Sequence, residues 1–157
     1  MGRVHLGVLA MASEVDYTGA LQAVRDRLAS GGVEAVVAYL AEAFPHYSWV
    51  GIYWVEGGEL VLGPWKGPQA TEHTRIPIGA GICGAAAATG RTEVVDDVSR
   101  DPRYLACFPS TRSEIVVPIS RAGRVIGEID IDSDLPAAFG PDDRRFLEAV
   151  AALIAAA

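Results

Sequence analysis

The sequence is poor in cysteine, in histidine and in positive charge. Its 157 residues hold two cysteines and three histidines, with 13 Lys and Arg against 20 Asp and Glu, a formal charge of -7. Two cysteines are too few for the disulfide framework of a small secreted domain, and Cys83 and Cys107 form no CxxC pair of the zinc-binding kind. A reducing cytoplasm is the expected compartment. The acidic balance works against nucleic acid and against an anionic membrane, both of which attract basic surfaces. No apolar run reaches membrane-spanning length, and the opening MGRVHLGVLAMASEV lacks the full apolar region of a signal peptide. A small molecule is the ligand class left. Met11 is a candidate natural start, so residues 1–14 are set apart as an N-terminal extension and a candidate for disorder. Residues 15–157 are expected to form one domain.

What is present is a clear order of elements. YTGALQAVRDRLAS carries Leu21, Val24 and Leu28 at helical spacing and stops at Ser30-Gly31-Gly32, and VEAVVAYLAEAF repeats the spacing with Val33, Val36, Val37, Leu40 and Phe44. YSWVGIYWV and ELVLGPW are β-rich runs around Glu56-Gly57-Gly58, a hairpin signal. A helix is expected from about Ile82 to Ala88 with a stop at Gly90, then a short strand in TEVVDDV. The segment from Ser99 to Ser113 is long and irregular, which marks a functional loop or disorder. SEIVVPIS and RVIGEIDID form a second hairpin around RAG, and GPDDRRFLEAVAALIAAA closes the chain as a helix with Pro141 in its first turn. Hairpins joined by short turns give an α+β fold with an antiparallel sheet, helices on one face and a pocket on the other.

Strand alternation sorts the side chains. In WVGIYWV it puts Trp49 and Tyr53 on one face and Val50, Ile52 and Trp54 on the other. In VIGEIDID it gives an apolar face of Val125, Ile129 and Ile131, and an opposite face of Glu128, Asp130 and Asp132. Like charges on one strand face repel, and Asp is disfavoured within strands. Either this row is a solvated outer face, or it lines a concavity that holds a cationic group such as an ammonium. A metal site is the lesser alternative, because no histidine is near the strand and a hard cation wants a denser oxygen set. Glu114, at the mouth of the neighbouring strand, is a further acceptor, and carboxylates beside aromatics suit a small cation or zwitterion.

The two cysteines read differently. Cys83, in GICGAAAATG, suits a small apolar role under a closely packed helix. Cys107 stands in loop composition between Arg103 and Arg112, where a thiol is either reactive or merely accessible. His5, His46 and His73 show no triad spacing and read as surface or satisfied histidines. GAGICG lacks the ending of a phosphate loop and the distal acid of a dinucleotide fingerprint, so its glycines are assigned to close packing.

SWVGIYW, ELVLGPWKG, RIPIGAGICGAAAATG, CFPSTRSEIVVPI and VIGEIDIDS, in that order, resemble the free methionine-(R)-sulfoxide reductases, which are stand-alone GAF domains. The resemblance runs from about Tyr47 to the C-terminal helix. It implies a GAF-like fold over residues 15–157, with a six-stranded antiparallel sheet, N- and C-terminal helices on one face, a closed pocket for one free amino acid and a homodimer. It implies reduction of free L-methionine-(R)-sulfoxide through a sulfenic acid on Cys107, with no cofactor and with electrons from thioredoxin or another thiol. Glu114, Asp130 and Asp132 match acids that bind the ammonium or protonate the sulfoxide oxygen. Trp49 and Tyr53 match the aromatics around the sulfoxide end.

Two positions depart from that pattern. His73 stands where the family usually has its resolving cysteine, so recycling falls to Cys83, which matches the family's middle cysteine, or to an external thiol. Glu128 stands where the family tends to have an apolar residue. The rival reading is a GAF sensor that binds a small amino-acid-like ligand without turnover.

Overall fold

The computed structural model describes residues 16–106 and 108–157. The 1–14 extension with His5 and Met11, and the loop thiol Cys107, lie outside the described residues.

The chain is helical from Tyr17 to Ala43 (α1), and the Asp16 carboxylate caps this helix by accepting from the Gly19 N–H at 2.9 Å. The two helices read from the spacing are its two halves. At Gly32 the backbone turns to φ 70° and ψ -163°, a left-handed φ that favours glycine, and the helical path breaks there. β1 (Trp49–Glu56) and β2 (Glu59–Lys66) follow as a hairpin, then the short β3 (Arg75–Pro77), which the sequence pattern did not signal. α2 (Gly81–Thr89) stops at Gly90, whose left-handed backbone returns its N–H to the Ala86 carbonyl. β4 (Glu93–Val95), a short turn of 3-10 helix (Val98–Arg100), β5 (Ser113–Arg121) and β6 (Arg124–Ser133) come next. α3 (Pro141–Ala156) closes the chain with Pro141 in its first turn.

All strand pairs are antiparallel, in the order β3-β2-β1-β6-β5-β4. The β1–β6 pairing joins the two hairpins and places the acidic strand near the middle of the sheet. α1 and α3 cover one face over Val50, Ile52, Ile115, Val117, Ile129 and Ile131. α2 covers the other face over Tyr53, Leu60, Ile76 and Val116, with Ile82, Cys83 and Ala86 pointing down from the helix. That approach is close. A β carbon on Gly84 would stand 2.8 Å from the Pro77 carbonyl oxygen and 2.9 Å from the Gly79 nitrogen, which explains why the helix carries glycine beside Cys83.

One strand assignment needs correction. Val125 packs with Tyr53 and Cys83 on the α2 face, and Ile126 packs on the helix-covered face with Ile129 and Ile131. Between the Ile119–Gly127 and Ser120–Val125 pairs, β6 carries one extra residue, so the alternation inverts at a bulge.

Asp143, in the first turn of α3, ties the helical layer together. It accepts from the Tyr47 hydroxyl at 2.7 Å, from the Tyr17 hydroxyl at 3.2 Å and from the Gly140 N–H at 3.0 Å, and meets His46 Nε2 at 2.8 Å. Burial works to raise the Asp143 pKa, but these donors prevail and hold it below the usual carboxylate value. His46 is thus a satisfied histidine within the scaffold.

Candidate active site

The acidic row is buried. Exposure is 0% at Glu128, 2% at Asp130, 2% at Asp132 and 4% at Glu114, which rules out a solvated outer face. Alternation along β6 points the three acids toward α2, and the register supplies their neighbours. Asp132 lies opposite Trp49 of β1 and Glu114 of β5, Asp130 opposite Gly51 and Val116, and Glu128 opposite Tyr53 and Pro118. Several of their oxygens lack partners among the described residues. The Thr111 hydroxyl donates to Asp132 Oδ2 at 3.4 Å, whereas Asp132 Oδ1, Asp130 Oδ1 and both oxygens of Glu128 have no hydrogen-bond partner among the described residues.

Acids so placed favour their protonated forms. Burial pushes Glu114, Glu128, Asp130 and Asp132 above their ordinary carboxyl values, and mutual repulsion adds to it, from Asp130 at Glu128 and Asp132 and from Asp130 and Asp132 at Glu114. A cation entering the cluster would draw out the charged forms, and an oxyanion forming beside it would find a proton donor. Cys83 belongs to the same cluster, with its Sγ 4.0 Å from Glu114 Oε2. Burial raises its thiol pKa well above the usual value, reinforced by Asp130, Glu114, Glu128 and Asp132 in turn. It both fills the second core and faces the acids.

Aromatic side chains form the adjoining wall. The Trp49 indole stacks on Trp65 with centroids 6.1 Å apart and meets Phe108 at 5.8 Å. It lies across its own strand over Gly51, where a β carbon would come within 2.3 Å of the ring. Its Nε1–H is buried without an acceptor among the described residues. Tyr53 is fully buried, and its hydroxyl donates to the His73 carbonyl at 2.7 Å. The His73 ring donates from Nε2 to the Ala106 carbonyl at 3.2 Å, so this residue ties the segment before β3 to the long loop. Tyr53, His73, Ile76, Ile82, Cys83, Leu105, Glu114 and Asp130 enclose a cavity of about 10 Å³.

The fold therefore joins Tyr53, Cys83, Glu114 and Asp130 in one wall, with Trp49, Asp132 and Glu128 as their strand neighbours. Trp65, Phe108 and Thr111 are contributors that strand parity did not nominate. Trp65 was legible only as an aromatic at the end of β2, and Phe108 and Thr111 carried no periodic signal in a loop. The neighbouring arginines are committed elsewhere. Arg103 makes paired hydrogen bonds to Glu93, both at 3.1 Å, and an ion pair to Asp101 at 2.7 Å, while Arg112 donates to the Pro109 and Thr111 carbonyls.

The GAF domain profile matches residues 18–157. The chain is 36% identical over 115 residues to the free methionine-R-sulfoxide reductase of Escherichia coli (strain K12), covering 73% of this chain and 68% of that protein. It is 39% identical to the free methionine-R-sulfoxide reductase from Neisseria meningitidis, solved by X-ray in complex with its substrate, with a TM-score of 0.84 over 92% of this chain and 91% of that one. It is 42% identical to the type II free methionine-R-sulfoxide reductase from Thermoplasma acidophilum, with a TM-score of 0.77 over 87% of this chain and 93% of that one. Among the described residues, no helix is long and apolar enough to cross a membrane.

Proposed function

Since the chain belongs to the GAF domain family and, within it, to the free methionine-R-sulfoxide reductases, we propose that it reduces free L-methionine-(R)-sulfoxide to methionine at the expense of a thiol. The observation that carries this reading is the buried cluster of Glu114, Asp130 and Asp132 beside Trp49 and Tyr53. The substrate's ammonium supplies the positive charge these acids lack, and its apolar stem and sulfoxide suit an aromatic wall.

Cys107 is the proposed nucleophile. Its thiolate attacks the sulfoxide sulfur while one of the three acids protonates the sulfoxide oxygen. Oxygen passes to the cysteine, methionine leaves with its sulfur reduced by two electrons, and Cys107 becomes a sulfenic acid. A reductant thiol then attacks the sulfenic acid, water departs, and a second thiol breaks the mixed disulfide to restore Cys107. The surroundings of Cys83 support an external thiol over Cys83 as the first of these. Burial opposes the thiolate that attack requires, and any neighbouring carboxyl that ionises adds to it. A thioredoxin-type donor in the cytoplasm and a homodimeric assembly complete the reading.

The test is turnover of racemic free methionine sulfoxide with excess dithiothreitol and chiral separation of the remainder, beside Cys107→Ser. Loss of the R form alone, abolished by the substitution, is the expected result. Persistence of both forms would overturn the enzyme and leave a ligand-binding sensor.

A further inference from the structure

The strand pattern alone gave a metal little support, since β6 offers carboxylates and nothing softer. Tertiary structure changes the donor set. Cys83 descends from α2 and Glu114 arrives from β5, so that Cys83 Sγ, a Glu114 oxygen and an Asp130 oxygen all lie within 4.8 Å of one another, all three residues buried. All three line the small cavity of about 10 Å³. That volume admits roughly one water-sized body at the floor of the site. Among the described residues, Asp130, 2% exposed and in the cavity wall, leaves Oδ1 without a partner, and the adjacent Glu128 leaves both of its oxygens so.

A thiolate combined with carboxylate oxygens excludes the hard cations, which prefer all-oxygen sites, and suits borderline ions. Zinc binds sulfur at about 2.3 Å and carboxylate oxygen at about 2.0–2.2 Å, so tetrahedral ligands stand roughly 3.5 Å apart. The observed spacing reaches that geometry with a contraction of about 1 Å, within the reach of side-chain rotamers. A thiolate and two carboxylates also over-neutralise a dication, and the protons they carry leave for solvent on binding.

We propose that Cys83, Glu114 and Asp130 bind a thiophilic divalent cation of the zinc class at the floor of the pocket, in competition with the amino-acid substrate. Metal binding stands on the cluster alone, whereas the competition rests on the proposed function. Cation and ammonium claim the same carboxylates, so the bound metal inhibits. His73 lines the same cavity, but its Nε2 is engaged by the Ala106 carbonyl and is not needed as a ligand.

The purified chain is titrated with Co2+, whose thiolate complexes give an intense charge-transfer band in the near ultraviolet, and the cobalt is then displaced with Zn2+. One saturable site with that band is expected in the wild type and in Cys107→Ser. Cys83→Ser is expected to lose the band and to weaken Zn2+ binding at least about tenfold. No saturable band in the folded wild type overturns the site. So does a band that survives in Cys83→Ser and vanishes in Cys107→Ser. Should Cys83→Ser fail to fold, Asp130→Asn decides, and an undiminished Zn2+ affinity there refutes the assignment. Excess free methionine sulfoxide should release the cobalt. A band unmoved by substrate overturns the competition while the metal site stands, so the two failures are distinguishable.

Discussion

Replacing Glu128 with methionine should stabilise this protein. Glu128 is 0% exposed, sits in a central strand opposite Tyr53, and has no hydrogen-bond partner for either oxygen among the described residues. Leaving a buried polar group unsatisfied costs about 1–3 kcal/mol, and Asp130 beside it adds repulsion whenever both ionise. Methionine keeps the length and approximate volume of glutamate and removes the polar head, so repacking should stay below about 1.5 kcal/mol. The net gain is about 1–2 kcal/mol. A domain of this size moves its unfolding midpoint roughly 2–4 °C per kcal/mol, so a rise of about 2–8 °C is expected. Thermal unfolding by circular dichroism at pH 7.5 reads it directly, with Glu128→Gln as a control that removes the charge and keeps the polarity. A lowered midpoint in Glu128→Met, with Glu128→Gln unchanged, would refute the reasoning, because it would mean that Glu128 holds a polar partner the fold depends on.

The acid cluster also sets the direction of a pH dependence. Folded-state pKa values of Glu114, Glu128, Asp130 and Asp132 are all raised, so the folded chain keeps protons that the unfolded chain releases above about pH 4. Their stabilising contribution is full below that point and is lost as pH rises toward the folded values, so the unfolding midpoint should fall from about pH 5 to pH 8, and a rising midpoint would contradict the burial. Asp143 has the opposite sign: its depressed pKa gives stability above about pH 4 that disappears as pH falls through the folded value. Asp143→Ala should lower stability by about 3 kcal/mol at neutral pH, since it strips acceptors from Tyr17, Tyr47 and Gly140, and urea unfolding measures it. Gly51→Ala drives a β carbon to 2.3 Å from the Trp49 indole, so the ring must move. A cost of about 1–3 kcal/mol, a shift in tryptophan emission and a raised KM for methionine sulfoxide are expected, and unchanged fluorescence would show that Trp49 does not lie over that glycine.

Much of the frame was legible locally. The break at Gly32, the turns at Gly57-Gly58 and Ala122-Gly123, the stop at Gly90 and Pro141 in the first turn of α3 all follow from backbone preferences that residues carry wherever they sit. β3 was not legible, because three residues are too short for alternation to register. Val125 was misassigned, because a bulge is a property of the β5–β6 pair and leaves no period in β6 alone. Arg103 looked available to the loop thiol, yet its guanidinium is held by Glu93 and Asp101, one of them in another element.

By itself the sequence determined that Glu128, Asp130 and Asp132 share one face of a strand, that Trp49 and Tyr53 share one face of another, and that these blocks resemble a family of reductases. Period-2 alternation is a local steric rule, and it needs no partner strand. Only the tertiary structure decided that the acidic face is the covered one. α2 closes over it, Glu114 comes beside Asp132 across the β5–β6 register, and Cys83 drops into the same cluster. A solvated row of carboxylates and a buried set of proton-holding acids are the same residues in the same strand. The difference lies in what long-range packing places above them, because removal of water is what raises their pKa values and gives the site its chemistry.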